Sequence, residues 1–303
     1  MSRPVTGILA AALLGGAAAA RAQNAAPEPS PTPVHEGRPV KSPGNAVWAP
    51  DLSTAHQRAA AQGALVYHEF TRKNCGGCAR MQGLLYPAFD FEALLIGMVP
   101  VMVDLDGPDG EKLAARYHVE EAPSVLITTP SGRLVFLMQG FQDAPDFYAH
   151  AHTDLDAYRK FAKTVDAQDV AHLPAAEAFR TGQQLYARFD FEGAAVRLAR
   201  AADAKDATPA IRANALEGLA AADLELGKTA ESRRAIERLI ATTQDPKQKQ
   251  NAELFRAQIS LVENKPQEAL TAYKRFAKDH PDSPYLDEVK TFIARLEKGT
   301  PRS

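Results

Sequence analysis

The chain of 303 residues has only two cysteines, Cys75 and Cys78, spaced C-x-x-C. Residues i and i+3 stand one turn apart on a helix, so this spacing ties the two sulfurs to a helix that begins at Cys75. The flanking residues agree. Ala64–Phe70 is a strand candidate, a short loop follows, and Met81, Leu84 and Leu85 mark a helix reaching Leu85. Unsatisfied N–H groups and the helix dipole favour an anion at such a start. Arg72 and Lys73 add positive charge. The thiolate is the reactive form of cysteine. The spacing therefore suits a two-step exchange in which Cys75 attacks a disulfide and Cys78 resolves the mixed disulfide. Two other uses of the pair compete. As a staple, so short a loop contributes only roughly 2 kcal/mol. As a zinc site the pair supplies two ligands of about four. No second C-x-x-C exists, and His118, His150 or His152 would have to be recruited.

Hydrophobic residues make up 45% of the chain and charged ones 24%, which excludes disorder and supports one or two cores. A formal charge of −2 leaves no basic surplus for neutralising phosphates, so a nucleic-acid partner is not expected. The N-terminus reads as an export signal over residues 1–22: Arg3, an apolar stretch from Val5 to Ala20, then Ala20-Arg21-Ala22 as a cleavage site. The uncharged run of about 17 residues is at the short limit for a membrane span. Removing it takes two arginines and no acids and leaves a formal charge of −4. The expected location is the periplasm, as a soluble protein without a stable membrane span. Residues 23–45, with Pro27, Pro29, Pro31 and Pro33, read as a solvated tether.

Residues 46–165 alternate strand-like and helix-like runs. Thr54–Gln62 is helical, Val99–Val103 is a second strand and Glu111–Tyr117 a short helix. Ser124–Thr128 faces Leu134–Met138 across a turn holding Pro130, Ser131 and Gly132, and a helix follows from Asp146 to Ala162. This pattern predicts a mixed α/β sheet with helices on both faces. Residues 173–297 carry no strand signal and read as an all-α region. Small residues pair twelve apart at Gly182 and Ala194, Gly218 and Ala230, and Ala257 and Ala269, as close helix crossings require. Turns fall at Phe189–Phe191, Leu226–Lys228 and Asn264–Pro266. Tyr273 and Phe276 lie on one helix, and Tyr285, Val289, Phe292 and Leu296 form the stripe of a final one. This region resembles tetratricopeptide repeats, with units offset by 36 and 39 residues.

The segment Trp48–Lys163 resembles the thioredoxin family, and within it the periplasmic thiol-disulfide interchange type. The matching residues are His68-Glu69-Phe70, Cys75-Gly76-Gly77-Cys78, Val103-Asp104, Tyr117-His118-Val119, Ala122-Pro123-Ser124 and Gly132. The resemblance implies a thioredoxin fold with Cys75 and Cys78 catalytic. It implies that Pro123 is the family's cis-proline, facing the cysteines and lining a substrate groove with Ala122, Gly76 and Gly77. Glu69 lies where family members carry a buried acid that helps deprotonate the resolving cysteine; the competing reading pairs it with Arg72 or Lys73. Asn74 stands where the family usually has Trp, and Gly76-Gly77 where its best-known members have Gly-Pro. No cofactor and no metal is expected. The implied partners are protein thiol or disulfide substrates, a redox donor or acceptor protein, and a client held by the repeats. The alternative is a redox-inactive adaptor using both regions for recognition, since a fold does not by itself grant activity.

Overall fold

A computed structural model describes residues 47–87 and 89–299. The signal segment and the tether lie outside the described residues. The described chain divides into two compact units: residues 47–168 with Arg188–Asp190, and Asp169–Ala187 with residues 191–299.

The first unit is built on a four-stranded sheet. Its elements in chain order are α1 (Leu52–Gln62), β1 (Leu65–Thr71), α2 (Gly76–Leu85), α3 (Phe89–Leu94), β2 (Met98–Asp104), α4 (Pro108–Tyr117), β3 (Ser124–Thr128), β4 (Leu134–Gln139) and α5 (Ala144–Val165). The strand order is β2-β1-β3-β4. β1 runs parallel to β2 and antiparallel to β3, placing His68 beside Val101 on one edge and Leu126 on the other. β3 and β4 form the expected hairpin, with an irregularity between Ile127 and Thr128.

Strand alternation sorts the core into two layers. Val66, Phe70, Val99, Val101, Val103 and Leu126 pack with Ala55 and Ala59 of α1 and Ala114 and Tyr117 of α4. Tyr67, Val125, Ile127 and Phe136 pack with Met81 and Leu85 of α2, Phe91 of α3 and Phe147 of α5. Each fully buried large side chain contributes about 1.5–3 kcal/mol. This mixed sheet with helices on both faces is the thioredoxin fold. The sequence pattern did not announce α3, a six-residue helix that follows Pro87 and is too short to show a period. Prolines 108 and 145 start α4 and α5 earlier than their apolar stripes suggest, because proline suits a first turn whose N–H groups need no partner.

The second unit contains seven α-helices and no strand among its described residues. They are α6 (Ala175–Tyr186), α7 (Phe191–Asp203), α8 (Pro209–Glu225), α9 (Thr229–Thr242), α10 (Pro246–Val262), α11 (Pro266–Asp279) and α12 (Leu286–Glu297), each packed on its sequence neighbours. Two of its turns are built alike. Gly227 and Lys228 donate their N–H groups to the carbonyls of Leu224 and Asp223; Asn264 and Lys265 donate theirs to Leu261 and Ser260. Gly227 and Asn264 both have left-handed φ, 72° and 58°.

That match corrects the register read from small residues. Ala230 is exposed, so the pair Gly218 and Ala230 is not the crossing. Ala220 and Ser232 are both fully buried, and the Ser232 hydroxyl donates to the Ala220 carbonyl at 2.7 Å. The equivalent pairs are thus Gly182 with Ala194, Ala220 with Ser232 and Ala257 with Ala269, offset by 38 and 37 residues. The final stripe is as expected: Tyr285, Phe292 and Leu296 pack half-buried against the cluster that contains Val289. Tyr285 precedes α12 as its cap and Val289 is the helix's buried residue, while Phe292 stacks on Tyr273 at 5.5 Å. No helix among the described residues is long and apolar enough to cross a membrane.

The crossing at Gly182 is tight: a β-carbon there would stand 2.8 Å from Leu198 Cγ and 3.3 Å from its backbone nitrogen. Gly182→Ala gains about 1 kcal/mol of helix propensity but overpacks a closed contact, at about 1–3 kcal/mol. The expected net result is a lower melting temperature by calorimetry. A higher one would show that the helices have room to separate.

Candidate functional site

The site begins where β1 ends. Asn74 takes a left-handed φ of 60° and turns the chain into α2. Asn tolerates this conformation because its short polar side chain finds local partners, whereas most side chains meet a backbone oxygen there. Cys75 is the N-cap of α2, with an extended backbone, and its Sγ accepts the N–H of Cys78 at 3.0 Å. The two sulfurs form a disulfide, with Cα atoms 5.2 Å apart. Cys75 is half-buried, whereas Cys78 is only 3% exposed. One first-turn N–H, that of Cys78, is thus directed at the Cys75 sulfur, and a helix start of this kind favours negative charge there once the disulfide is reduced.

Gly76 is exposed, and a β-carbon there would meet nothing. Gly77 is different, for a β-carbon on it would lie 3.2 Å from Pro123 Cδ. The Ala122–Pro123 peptide bond is cis, and Pro123 is buried with half-buried Ala122 before it. The Ser124 hydroxyl donates to the Glu121 carbonyl at 2.7 Å and ties this turn. The second and third residues of the motif thus differ: one faces solvent, the other lies against the proline.

Glu69 is 1% exposed on the face of β1 that α2 covers. Gln82 Nε2 donates to its Oε1 at 2.7 Å, and the Tyr86 hydroxyl donates to its Oε2 at 2.6 Å. Burial pushes its carboxyl above the ordinary value, and these two donors oppose the rise. The alternative pairing with Arg72 or Lys73 does not occur: Arg72 meets Asp106 at 3.3 Å, and Lys73 is exposed. Sequence reasoning did not single out Gln82 and Tyr86. Their signal is position, four and eight residues after Cys78 on one helix face.

Two further features escaped the sequence reading. Arg80 lies over the ring of Phe141, 4.6 Å from its centroid, with Phe141 38% exposed. On the opposite face of β1, His68 is fully buried and its Nδ1 meets the Leu126 carbonyl at 3.0 Å. Burial pushes the His68 pKa down to about 3, so it stays neutral near pH 7. Among the described residues, no group of three His, Cys, Asp or Glu is arranged to hold a metal ion.

The backbone at Asn74 yields a direct test. Asn74→Gly should leave stability nearly unchanged, while Asn74→Val should cost roughly 1–2 kcal/mol in the left-handed conformation. Thermal unfolding of the oxidised protein reads the difference; equal stability of the two variants would show that this backbone is not held.

No family model matches the chain, and no curated protein matches it. Solved structures that it resembles include a thioredoxin from Thermus thermophilus, 24% identical, covering 36% of this chain and 87% of that one with a TM-score of 0.33. Another is a DsbH oxidoreductase, 17% identical, covering 42% of this chain and 95% of that one with a TM-score of 0.32.

Proposed function

We propose that this chain is an exported thiol-disulfide oxidoreductase that exchanges disulfides with protein substrates through Cys75 and Cys78. The single observation that carries the reading is the Cys75–Cys78 disulfide at the first turn of α2, whose Gly77 lies against Pro123. The pair is joined as a dithiol couple requires, and its outer sulfur receives a backbone N–H. Export rests on the signal read at residues 1–22 and points to the periplasm, where a C-x-x-C pair meets oxidising partners.

In the reducing direction the Cys75 thiolate attacks one sulfur of a substrate disulfide. A bond forms between Cys75 Sγ and that sulfur, and the other substrate sulfur leaves as a thiolate that takes a proton from water. Cys78 then gives its proton to the Glu69 carboxylate, and its thiolate attacks Cys75 Sγ. The mixed disulfide breaks, the second substrate thiolate leaves, and the protein disulfide is restored. A dithiol partner protein must return two electrons before the next cycle. The oxidising direction is the same sequence reversed, with a disulfide partner. Ala122, Pro123, Gly76 and Gly77 line the approach to Cys75, where an extended substrate segment would lie. The helical unit, read as tetratricopeptide-like repeats, holds the client and raises its effective concentration at the cysteines.

Cys75→Ser is expected to abolish exchange with insulin. Cys78→Ser is expected to accumulate mixed disulfides through Cys75, visible on non-reducing gels and by mass spectrometry. Undiminished turnover in the first variant would reject the assignment. The repeats have their own test: deleting the residues after 190, which keeps Arg188–Asp190 with the sheet unit, should spare exchange with a small disulfide and lose capture of protein clients by the Cys78→Ser chain. Equal capture with and without that region would remove it from the reading.

A further inference from the structure

We propose that Tyr86 and Gln82 are positioning residues that set the pH at which Glu69 accepts the proton of Cys78, so that α2 carries both the resolving thiol and the control of its base. The inference rests on the reading of Glu69 as that proton acceptor and adds two residues to it.

Cys78, Gln82 and Tyr86 follow one another at four-residue intervals, and all three are buried on the face of α2 turned to the sheet. Gln82 offers an amide N–H to one carboxylate oxygen and Tyr86 a hydroxyl to the other. Both oxygens therefore meet donors, an arrangement that suits the anion and opposes protonation. Burial acts the other way. The Tyr86 ring is fixed by Trp48 at 5.9 Å and Phe91 at 4.8 Å, so its hydroxyl is held on Glu69 by packing.

The titratable groups around Glu69 are few. Tyr67 precedes it by two residues on β1, the Tyr86 hydroxyl meets it from α2, Cys78 is buried eight residues before Tyr86 on the same helix, and Tyr148 of α5 gives its hydroxyl to the Leu85 carbonyl at 2.9 Å. Among the described residues no Lys, Arg or His forms an ion pair with Glu69. The two neutral donors therefore remain as the specific counterweight to burial. When Glu69 takes the proton of Cys78, the new O–H needs an acceptor. A tyrosine hydroxyl can turn from donor to acceptor, whereas an amide NH2 cannot. Tyr86 can follow the proton by turning its hydroxyl in place, whereas Gln82 would have to flip its amide to present its own Oε1, so the proton is expected on Glu69 Oε2.

The test uses the full-length reduced protein and two readouts. The Glu69 carboxyl is titrated by carbon-13 NMR, its signal assigned by loss in Glu69→Gln. The release of a preformed mixed disulfide between Cys75 and a small thiol is followed against pH. Tyr86→Phe is expected to raise the Glu69 midpoint by about one to two pH units, the equivalent of one charge-assisted hydrogen bond. The acid limb of the release rate should move by the same amount. Gln82→Met should move both the same way, which keeps the test open if one variant fails to fold. In the Glu69→Gln background Tyr86→Phe should leave the release profile unmoved. An unchanged Glu69 midpoint in Tyr86→Phe and Gln82→Met overturns the inference while leaving Glu69 in its role. A Glu69→Gln chain with the wild-type release profile overturns both, since Glu69 would then not be the base.

Discussion

Strand β1 is paired on both edges and covered on both faces, and the rest of the site depends on its register. Alternation sends His68 into one layer and Glu69 into the other, although they are adjacent in sequence. A slip by one residue would exchange them, placing the carboxylate against α1 and the imidazole under α2. Neither layer would accept the exchange. His68 is matched to the Leu126 carbonyl, an acceptor, while Glu69 is matched to two donors. An unpaired charge in such a position costs several kcal/mol. The polar residues of β1 thus fix its register as firmly as its apolar ones, and that register decides where Cys75 emerges.

From the end of β1 the geometry of the motif follows in a few residues. Asn74 reverses the backbone and Cys75 caps α2 with its own sulfur, a place usually held by an oxygen-bearing side chain. The cap and the proposed nucleophile are therefore one atom. Gly77 lets the first turn approach Pro123 within a distance that a methyl group would crowd. The helix start, the left-handed residue and the proline are parts of one arrangement that leaves a single sulfur facing outward.

Much of this was legible in the sequence, and the failures share a cause. The strands, the hairpin and the helix after Cys75 follow from apolar periodicity and turn residues, which act locally. The burial of Glu69 was suggested by a resemblance, but its partners were not, because Gln82 and Tyr86 read as ordinary helix residues until α2 is laid on the sheet. The short helix Phe89–Leu94 has too few residues to show a period. In the helical unit the register was misread by two residues at one crossing, because Ser232 does not look like a small apolar residue. Its hydroxyl is consumed by the Ala220 carbonyl, and with that bond made it packs as an alanine would. Side-chain to backbone hydrogen bonding of this kind disguises a serine's role in any reading based on hydrophobicity alone.

The two sulfurs differ in exposure, and this difference suits the order proposed for them, Cys75 first and Cys78 second. Cys75 is half-buried and caps the helix start, a place whose field favours a thiolate once the disulfide is reduced. Cys78 is nearly excluded from solvent, which shields it from an incoming disulfide but also removes the water that would take its proton. Burial raises the pKa of a thiol and of a carboxylic acid alike, because each loses its charge more easily than it keeps it. In the proposed reading the proton passes from a buried thiol to a buried carboxylate, and no net charge is created. On that reading the charge is on Glu69 before transfer and on sulfur after it, and it leaves with the substrate thiolate when the sulfur–sulfur bond re-forms. Under the proposed exchange, burial of Glu69 would serve the second step and capping by Cys75 the first, and β1 would support both because it carries the acid and delivers the cap.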